Sequence, residues 1–286
     1  MTSERDAGQA RDTSVSAYYA DMTDWLIKIT GDLRTIHHGL WGGAGIETEA
    51  DAQMRSIHVL VEGCGLGPGK RVLDAGCGLG GPAVALAKEY GVCVTGLTNC
   101  EPHVAVATEF AARQGVDHLV EFRHGDFMDM PFPDASFDVV INQESFCYAP
   151  DKLAYLRGVN RVLKPTGNWR MTDSVLSGKP MSRSQQEVFV YVQRGYRIPP
   201  FPSLSEVMAT LEQTGFEELW ERNLDEEVLP ETERRSKWWK MVVFLTPPPK
   251  LGDLSLHEFM QATVDFGRLL REGVFTYRLI SATKPG

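Results

Sequence analysis

The stretch that decides the fold of this chain is Leu73-Asp74-Ala75-Gly76-Cys77-Gly78-Leu79-Gly80-Gly81. It follows a short apolar lead and precedes an amphipathic stretch, an order that predicts a strand, a glycine turn and a helix. Glycines let the backbone approach a ligand closely, and the free N–H groups of a helix start can hold a phosphate. Asp74 lies inside this turn, where its charge would repel a phosphate. The turn is therefore predicted to bind a cationic ligand, such as the ammonium group of an amino acid.

Short apolar runs alternate with helical stretches after residue 71. The candidate strands are 71–75, 93–98, 120–124, 137–142 and 168–173. Two of the helices between them are predicted over 103–114 and 151–163. A later strand pair is predicted over 216–220 and 274–282. This alternation predicts an α/β fold with a doubly wound, parallel sheet.

The segments on either side of this core have a different character. Residues 1–14 are polar and are predicted to be disordered, and helices are predicted over about 16–35 and 48–64. Aromatic residues, prolines and arginines accumulate over 175–250, which indicates helices inserted over the sheet. We therefore predict a disordered tail (1–14), an N-terminal helical cap (15–69), a ligand-binding core (70–175), and a helical lid with the last strands (176–286).

Composition narrows the functional class. The 286 residues are 43% hydrophobic and 23% charged, as in a soluble globular protein. A net charge of −9 disfavours nucleic acid as a partner and favours a small molecule. The sequence contains no apolar signal-peptide core, no membrane span and no spacing of its five cysteines that indicates disulfides or a metal site. A cytoplasmic protein is expected, and whether it forms a homo-oligomer is left open.

Polar residues follow the second and third predicted strands, at the sheet edge where such folds bind ligands. Thr98, Asn99 and His103 come after the second strand, although His103 is equally compatible with an ordinary first-turn helix residue. Asp126 beside Phe127 follows the third strand and offers a hydrogen-bond acceptor next to an aromatic face. This combination fits an adenine, and the alternative for Asp126 is an ordinary loop acid.

The fourth strand ends in Asn142-Gln143-Glu144-Ser145, followed by Phe146 and Tyr148. A carboxylate at this strand end can stabilise a positive charge and then accept a proton. Aromatic faces nearby would assist through cation–π attraction. The alternatives are that Glu144 holds a substrate hydroxyl or a cofactor amine, and that the aromatic residues belong to the core.

Residues 70–175 resemble class I S-adenosylmethionine (SAM) methyltransferases, on the glycine turn, on Gly125-Asp126-Phe127 and on the loop Met130-Pro131-Phe132-Pro133. The segment Asn142-Gln143-Glu144-Ser145 resembles the Asn-Asn-Glu-Ser of prenyl diphosphate C-methyltransferases. Tyr18-Tyr19-x-Asp21 and His37-His38-Gly39-Leu40-Trp41 resemble the N-terminal cap of the sterol, tocopherol and prenyl diphosphate C-methyltransferases. The resemblance implies a Rossmann-like sheet of seven strands, the last of them antiparallel.

The resemblance also implies roles for individual residues, with SAM as cofactor and Glu144 as catalytic base. The residues expected to bind the cofactor are Tyr19, Asp74, Gly76, Gly78, Thr98, Asn99, His103, Asp126, Phe127 and Asn142. The residues expected to bind the substrate are His37, His38, Phe146, Tyr148, Arg194, Tyr196, Arg197, Arg234, Trp238 and Trp239.

The expected reaction is methylation of an alkene carbon in an isoprenoid, here a short prenyl diphosphate of the geranyl or isopentenyl type. Arginine side chains suit phosphate oxygens, although a solvated helix face also explains their clustering in the lid. A diphosphate would bring Mg²⁺ with it, and the sequence contains no Asp-x-x-Asp cluster to hold that ion. The alternatives are O- or N-methylation of a natural product, and SAM binding without methyl transfer.

Overall fold

The computed structural model describes residues 14–286 except for 44, 46–47, 246–249 and 252–253. The predicted disordered tail over 1–14 lies almost entirely outside this part of the chain. Side chains at 236, 238–240, 242–245, 250–251 and 254–257 are also outside the description. No described helix combines the length and the apolar character that crossing a bilayer would require.

The described chain alternates helices and strands. The helices are α1 Val15–Thr30, α2 Glu49–Val61, α3 Gly81–Tyr90, α4 Glu101–Gln114, α5 Lys152–Val162, α6 Arg183–Tyr196, α7 Leu204–Gln213, α8 Asp225–Leu245 and α9 Leu256–Arg271. The strands are β1 Arg71–Ala75, β2 Cys93–Thr98, β3 Val120–His124, β4 Phe137–Gln143, β5 Leu163–Leu176, β6 Glu217–Asn223, β7 Lys250–Leu251, β8 Leu254–Ser255 and β9 Phe275–Thr283.

Seven strands form one sheet in the order β3-β2-β1-β4-β5-β9-β6. Strands β1 to β5 run parallel, whereas β9 is antiparallel to both of its neighbours, β5 and β6. The strand order changes direction at β1, with β2 on one side and β4 on the other, and a sheet of this kind binds ligands beyond its carboxyl edge at that point. The predicted seven-stranded, Rossmann-like fold with an antiparallel last strand is confirmed.

The central part of the sheet is covered on both faces, which explains its strongly apolar central strands. Val72 of β1 packs with α2, α3 and α4 in one buried cluster, and the next residue, Leu73, packs with α5 and α7 in a second. Successive side chains of a strand point to opposite faces, so a strand between two helical layers is apolar throughout. The core therefore fixes β1, and with it the position of the glycine turn.

The elements of the cap are shorter than predicted. Helix α1 ends at Thr30, five residues before the expected boundary, because Gly31 adopts a backbone with φ of 53° that a right-handed helix does not continue. Helix α2 likewise ends at Val61 rather than near residue 64. In contrast, β5 extends beyond the predicted 168–173 at both ends, because its Leu163 pairs with Phe137 of β4 and β9 pairs with it as far as Leu176.

A buried asparagine joins the sheet to its helical cover. The Nδ2 of Asn142 donates to the Ala75 carbonyl and to Ser145 Oγ, both at 2.9 Å. Its Oδ1 accepts from the Tyr155 hydroxyl at 2.6 Å and from Trp169 Nε1 at 2.8 Å. Asn142 is fully buried, so it supports the glycine turn from below and does not reach the cavity where its predicted cofactor contact would have to form.

We predict that Asn142→Ala lowers the free energy of unfolding by about 2–4 kcal/mol, because buried donors and an acceptor lose their partners. Urea denaturation followed by circular dichroism measures this loss. The control is Asn160→Ala, which removes a single hydrogen bond to the Thr214 carbonyl and should cost about 1 kcal/mol. Equal losses in the two variants would contradict the prediction.

Candidate active site

A cavity of about 790 Å³ opens at the carboxyl edge of the sheet. Its walls come from the glycine turn, the ends of β2, β4 and β5, helix α1 with the segment that follows it, and lid residues of α6, α8 and α9. Such a volume is large enough for a small-molecule ligand. The cavity contains two chemically different regions, one around Asp74 and one around Glu144.

The Asp74 carboxylate is only 2% exposed, and its Oδ2 has no hydrogen-bond partner within the described structure. Burial raises its pKa to about 7. A buried carboxylate oxygen without a donor fits a cationic group that the protein itself does not supply. Beside it, a side chain on Gly76 would collide with Ser145, so the turn can pack this closely only with glycine there. Asp74, Gly76 and Gly78 all line the cavity, as predicted.

The predicted residues after β2 lie together on the next part of the wall. Thr98, Asn99 and His103 line the cavity with Tyr19 of α1, whose ring meets the His103 ring edge-on at a centroid distance of 6.0 Å. His103 is 1% exposed, and burial lowers its pKa to about 4, so this imidazole is neutral at pH 7. Its Nε2 has no hydrogen-bond partner in the described structure and can serve a bound ligand.

The two residues after β3 have different surroundings. Phe127 lines the cavity and packs edge-on against Tyr155 at 5.1 Å. Asp126 is exposed, lies outside the cavity wall and accepts a hydrogen bond from Met128 N at 2.8 Å. The structure therefore places Asp126 as the cap of the short helical turn that carries Phe127.

Three hydrogen-bond donors converge on one oxygen of Glu144. Its Oε1 accepts from His38 N at 2.6 Å, from His38 Nδ1 at 2.9 Å and from the Tyr277 hydroxyl at 2.8 Å. Glu144 adopts φ of 50°, which is unusual for a residue other than glycine. The surrounding contacts thus fix both the backbone and the carboxylate at the end of β4.

This arrangement sets the charges of the pair. Burial is the largest single influence on Glu144 and raises its pKa, but the attraction and hydrogen bonds of His38, together with His37, outweigh it and lower the pKa to about 2. For His38, burial lowers the pKa, and the attraction and hydrogen bond of Glu144 raise it overall. Glu144 is therefore ionised at neutral pH and stabilises the protonated form of His38.

Sequence reasoning missed Tyr277 and Asp173. Tyr277 lies on β9 opposite Ser174, so its approach to Glu144 depends on a pairing of distant strands. Asp173, near the carboxyl end of β5, lines the cavity and accepts hydrogen bonds from Cys147 N and Ser174 N, both at 2.8 Å. Burial raises its pKa to about 6. The sequence did carry one signal for Asp173, because this residue ends the predicted strand 168–173.

The predicted substrate-binding aromatic residues separate into two groups. Tyr148 and Tyr196 line the cavity, where Tyr148 exchanges a hydrogen bond of 2.9 Å with the Tyr19 hydroxyl and donates to the Tyr196 carbonyl at 3.2 Å. Phe146 instead is buried beneath the sheet edge and packs on Trp169 at 5.4 Å, away from the cavity. The side chains of Trp238 and Trp239 lie outside the described structure.

Only some of the basic residues that were predicted to bind the substrate line the cavity. His37 and Arg234 line the cavity with His38, whereas Arg194 and Arg197 of the lid do not. Arg194 instead pairs with Glu258 at 3.2 Å near the surface. Arg234 lies over the Trp41 ring and pairs with Glu49 at 2.8 Å. No group of three or more potential metal ligands is assembled among the described residues.

Known proteins resemble the chain in both sequence and fold. The family described as Methyltransferase domain matches residues 73–170. The 27-O-demethylrifamycin SV methyltransferase of Amycolatopsis mediterranei is 35% identical over 199 residues, which cover 70% of this chain and 72% of that protein. The chain belongs to the SAM-dependent methyltransferases. Its cofactor is SAM, and the unpartnered oxygen of Asp74 fits the positive charge of that molecule.

Other known proteins align with a smaller part of this methyltransferase, or resemble it in fold at lower sequence identity. Cycloartenol-C-24-methyltransferase of Arabidopsis thaliana is 35% identical over 64% of this chain, which spans 54% of that relative's length. The [4+2]-cyclase SpnF superposes with a TM-score of 0.77 at 25% identity, over 95% of each chain. A geranyl diphosphate methyltransferase solved with geranyl diphosphate and sinefungin gives 0.76 at 21% identity, over 94% of this chain and 97% of that one.

We predict that binding of S-adenosylhomocysteine weakens by about tenfold per pH unit below pH 7, because only the ionised Asp74 attracts its ammonium group. Asp74→Asn should weaken binding by about tenfold or more and remove this pH dependence between pH 5.5 and 7. Calorimetric titration measures both effects, with the exposed Asp129→Asn as the control. An unchanged pH dependence in Asp74→Asn would contradict the role of this carboxylate.

Proposed function

We propose that this methyltransferase transfers a methyl group from SAM to an alkene carbon of an isoprenoid, with Glu144 as the catalytic base. The observation that carries the proposal is the ionised Glu144 carboxylate at the cavity wall. Its Oε1 is fixed by donors from His38 and Tyr277, whereas its Oε2 makes no hydrogen bond with a described residue. One oxygen is thus anchored, and the other is available to a substrate.

The chemistry needs such a group. When bound, SAM would supply its sulfonium methyl group to the π electrons of the alkene with loss of the carbon–sulfur bond, and the tertiary carbon left behind would carry a positive charge. A fixed carboxylate stabilises that charge in a water-poor cavity. It can then accept the proton from the adjacent carbon, whose C–H electrons form the new double bond. Because Glu144 and His38 share a hydrogen bond of 2.9 Å, they act as a coupled pair in this step.

Aromatic side chains of the cavity wall suit a carbocation. Phe266 of α9 packs against the His38 ring at a centroid distance of 5.5 Å and against the Tyr196 ring at 6.3 Å. The Phe259 ring also contacts the Tyr196 ring, at a centroid distance of 5.5 Å. These aromatic rings line the cavity next to Glu144 and can attract a carbocation through their π faces. The two relatives that act on a sterol carbon or on geranyl diphosphate support an isoprenoid acceptor.

We extend the proposal to a short prenyl diphosphate of the geranyl or isopentenyl type, with Mg²⁺ carried by the diphosphate. Arg234 and Arg235 are the cavity-lining arginines of α8 that could meet its phosphate groups. Both are paired with Glu49, and Arg235 also pairs with Glu231 at 2.5 Å. A diphosphate would therefore have to replace Glu49 or Glu231 as the partner of these arginines. The experiment must accordingly compare charged and uncharged substrates.

The test is incubation with methyl-labelled SAM and isopentenyl, dimethylallyl, geranyl or farnesyl diphosphate, each with and without Mg²⁺, beside the corresponding alcohols and a sterol alkene. Label in a new C–CH₃ group of any isoprenoid supports the reaction. Label that depends on the diphosphate and on Mg²⁺ supports the extended proposal. Label found only as O–CH₃ would overturn carbon methylation.

A second function, O-methylation of a natural product, is favoured by one contact and one relative. The His38 Nδ1 bonds to Glu144, so in its neutral form Nε2 is left as an acceptor that can take a proton from a hydroxyl group. The rifamycin relative is named for methylation at an oxygen. Product NMR distinguishes the two functions, because a methyl group on oxygen and one on carbon have different chemical shifts.

We predict that Glu144→Gln lowers turnover by at least about 100-fold, because the amide neither balances a positive charge nor accepts a proton. Its affinity for S-adenosylhomocysteine should stay within about twofold of the wild type, since Asp74 and the glycine turn are untouched. The exposed Glu109→Gln is the matched control. A Glu144→Gln enzyme with the wild-type rate would remove the base assignment.

A further inference from the structure

The segment 37–41 lies between two carboxylates that belong to different parts of the fold, the partly buried Glu144 and the fully buried Glu231. His38 N donates to Glu144 Oε1 at 2.6 Å. The next backbone N–H, that of Gly39, donates to Glu231 Oε2 in helix α8. Two successive peptide groups are thus bonded to the sheet on one side and to the lid on the other. The position of His38 on Glu144 consequently depends on a lid residue that does not itself touch Glu144.

Glu231 is built into this position. Its side chain is 0% exposed, and the Oε2 that receives Gly39 N also accepts from Trp41 Nε1 at 3.4 Å. Its other oxygen pairs with Arg235 at 2.5 Å, and Arg235 continues to Glu49 at the start of α2. A carboxylate buried this completely is stable only when it is paired and hydrogen-bonded, so its partners must stay in place.

Close packing fixes the same segment sterically. A side chain on Gly39 would come within 2.7 Å of Ala52 Cβ and 2.8 Å of Glu231 Oε2, so only glycine allows its N–H to approach that carboxylate. Two residues later, Trp41 N donates to the Glu227 carbonyl of α8 at 2.8 Å. The segment is therefore held against α8 at both ends of a three-residue stretch, directly after His38.

We propose that Glu231 is a positioning residue that holds His38 on Glu144, so that the acid–base pair is assembled only while α8 is docked on the segment 37–41. The proposal deepens the proposed function, because it gives the His38–Glu144 pair a dependence on the lid. The role of Glu231 is indirect, through the backbone of Gly39 and through its charge.

The charge of Glu231 affects the pKa of His38, a measurable quantity that a purely steric role of Glu231 would leave unchanged. Several groups surround His38. They are Glu144 directly after β4, Tyr277 from β9, Phe266 from α9, Glu231 and Arg235 from α8, and the neighbouring His37. Among these, Glu231 raises the pKa of His38 and Arg235 lowers it. Neutralising Glu231 removes one stabilising charge and leaves Arg235, so the pKa of His38 should fall.

The experiment compares Glu231→Ala and Glu231→Gln with the wild type and with Glu233→Gln, a half-exposed neighbour on the same helix. All four proteins are saturated with S-adenosylhomocysteine. Hydrogen exchange measured by mass spectrometry reports the His38 and Gly39 amides, and NMR of ¹³C-labelled histidine reports the titration of His38, assigned with His38→Gln. Neither readout needs an identified methyl acceptor, so failure of the proposed function leaves this test intact.

In Glu231→Ala we expect the amides of the segment 37–41 to exchange at least about tenfold faster, with α2 and β4 unchanged. In Glu231→Gln, which keeps an acceptor but loses the charge, the His38 titration should move to lower pH. Glu233→Gln should match the wild type in both readouts. Unchanged exchange with an unchanged titration would overturn the proposal, as would an equal increase in exchange throughout α2 and β4. If Glu231→Ala does not fold, the His38 titration in Glu231→Gln tests the proposal, and a titration at the wild-type pH would overturn it.

Discussion

The convergence of donors on the Glu144 carboxylate is the interaction on which the active site depends. His38 and Tyr277 reach it from 106 and 133 residues away in the chain, one from the N-terminal cap and the other from the last strand. An ionised carboxylate in a buried site is costly unless several donors compensate for lost water. Folding the parallel strands β1 to β5 alone would therefore leave Glu144 without these donors. The cap and β9 must both be in place before this end of the cavity is stable.

Asp74 and Glu144, two of the carboxylates that line the cavity, show how surroundings set chemical roles. Asp74 has no donor on Oδ2, and burial raises its pKa to about 7. At Glu144 burial also raises the pKa, but His38 outweighs it and the pKa falls to about 2. Groups whose environments drive their pKa values apart commonly carry different tasks in one site. Here Asp74 has an oxygen free to pair with a cationic ligand, whereas Glu144 is already ionised and lines the part of the cavity proposed for the substrate.

Sequence patterns predicted those parts of the structure that local rules determine. Strands β1, β2 and β3 have the predicted bounds. Gly91 and Gly115 end the helices that precede β2 and β3, so local sequence signals delimit these strands. Asn142 and Phe146 were predicted to face ligands, but both side chains are buried in the interior. For Asn142 on β4, one residue of register decides which face of the sheet its side chain occupies.

Long-range contacts account for most of what the sequence did not reveal. Tyr277 meets Glu144 only because β9 pairs with β5, and Glu231 meets Gly39 only because α8 packs against the segment 37–41. Neither contact has a spacing or motif of its own. The lid arginines illustrate the same limit, since charge clustering alone could not show that Arg194 and Arg197 lie outside the cavity wall.

Electrostatics links the charge of the methyl acceptor to the geometry of the lid. Arg235 is shared between Glu231, which holds the segment carrying His38, and Glu49 of the cap. An anionic substrate group that drew Arg235 away would leave Glu231 buried with fewer partners, at a cost that such a substrate would have to offset. A neutral isoprenoid would leave this network intact. The charge of the acceptor and the assembly of the His38–Glu144 pair are therefore coupled through one arginine, and a diphosphate substrate requires that its phosphates bind without releasing Glu231.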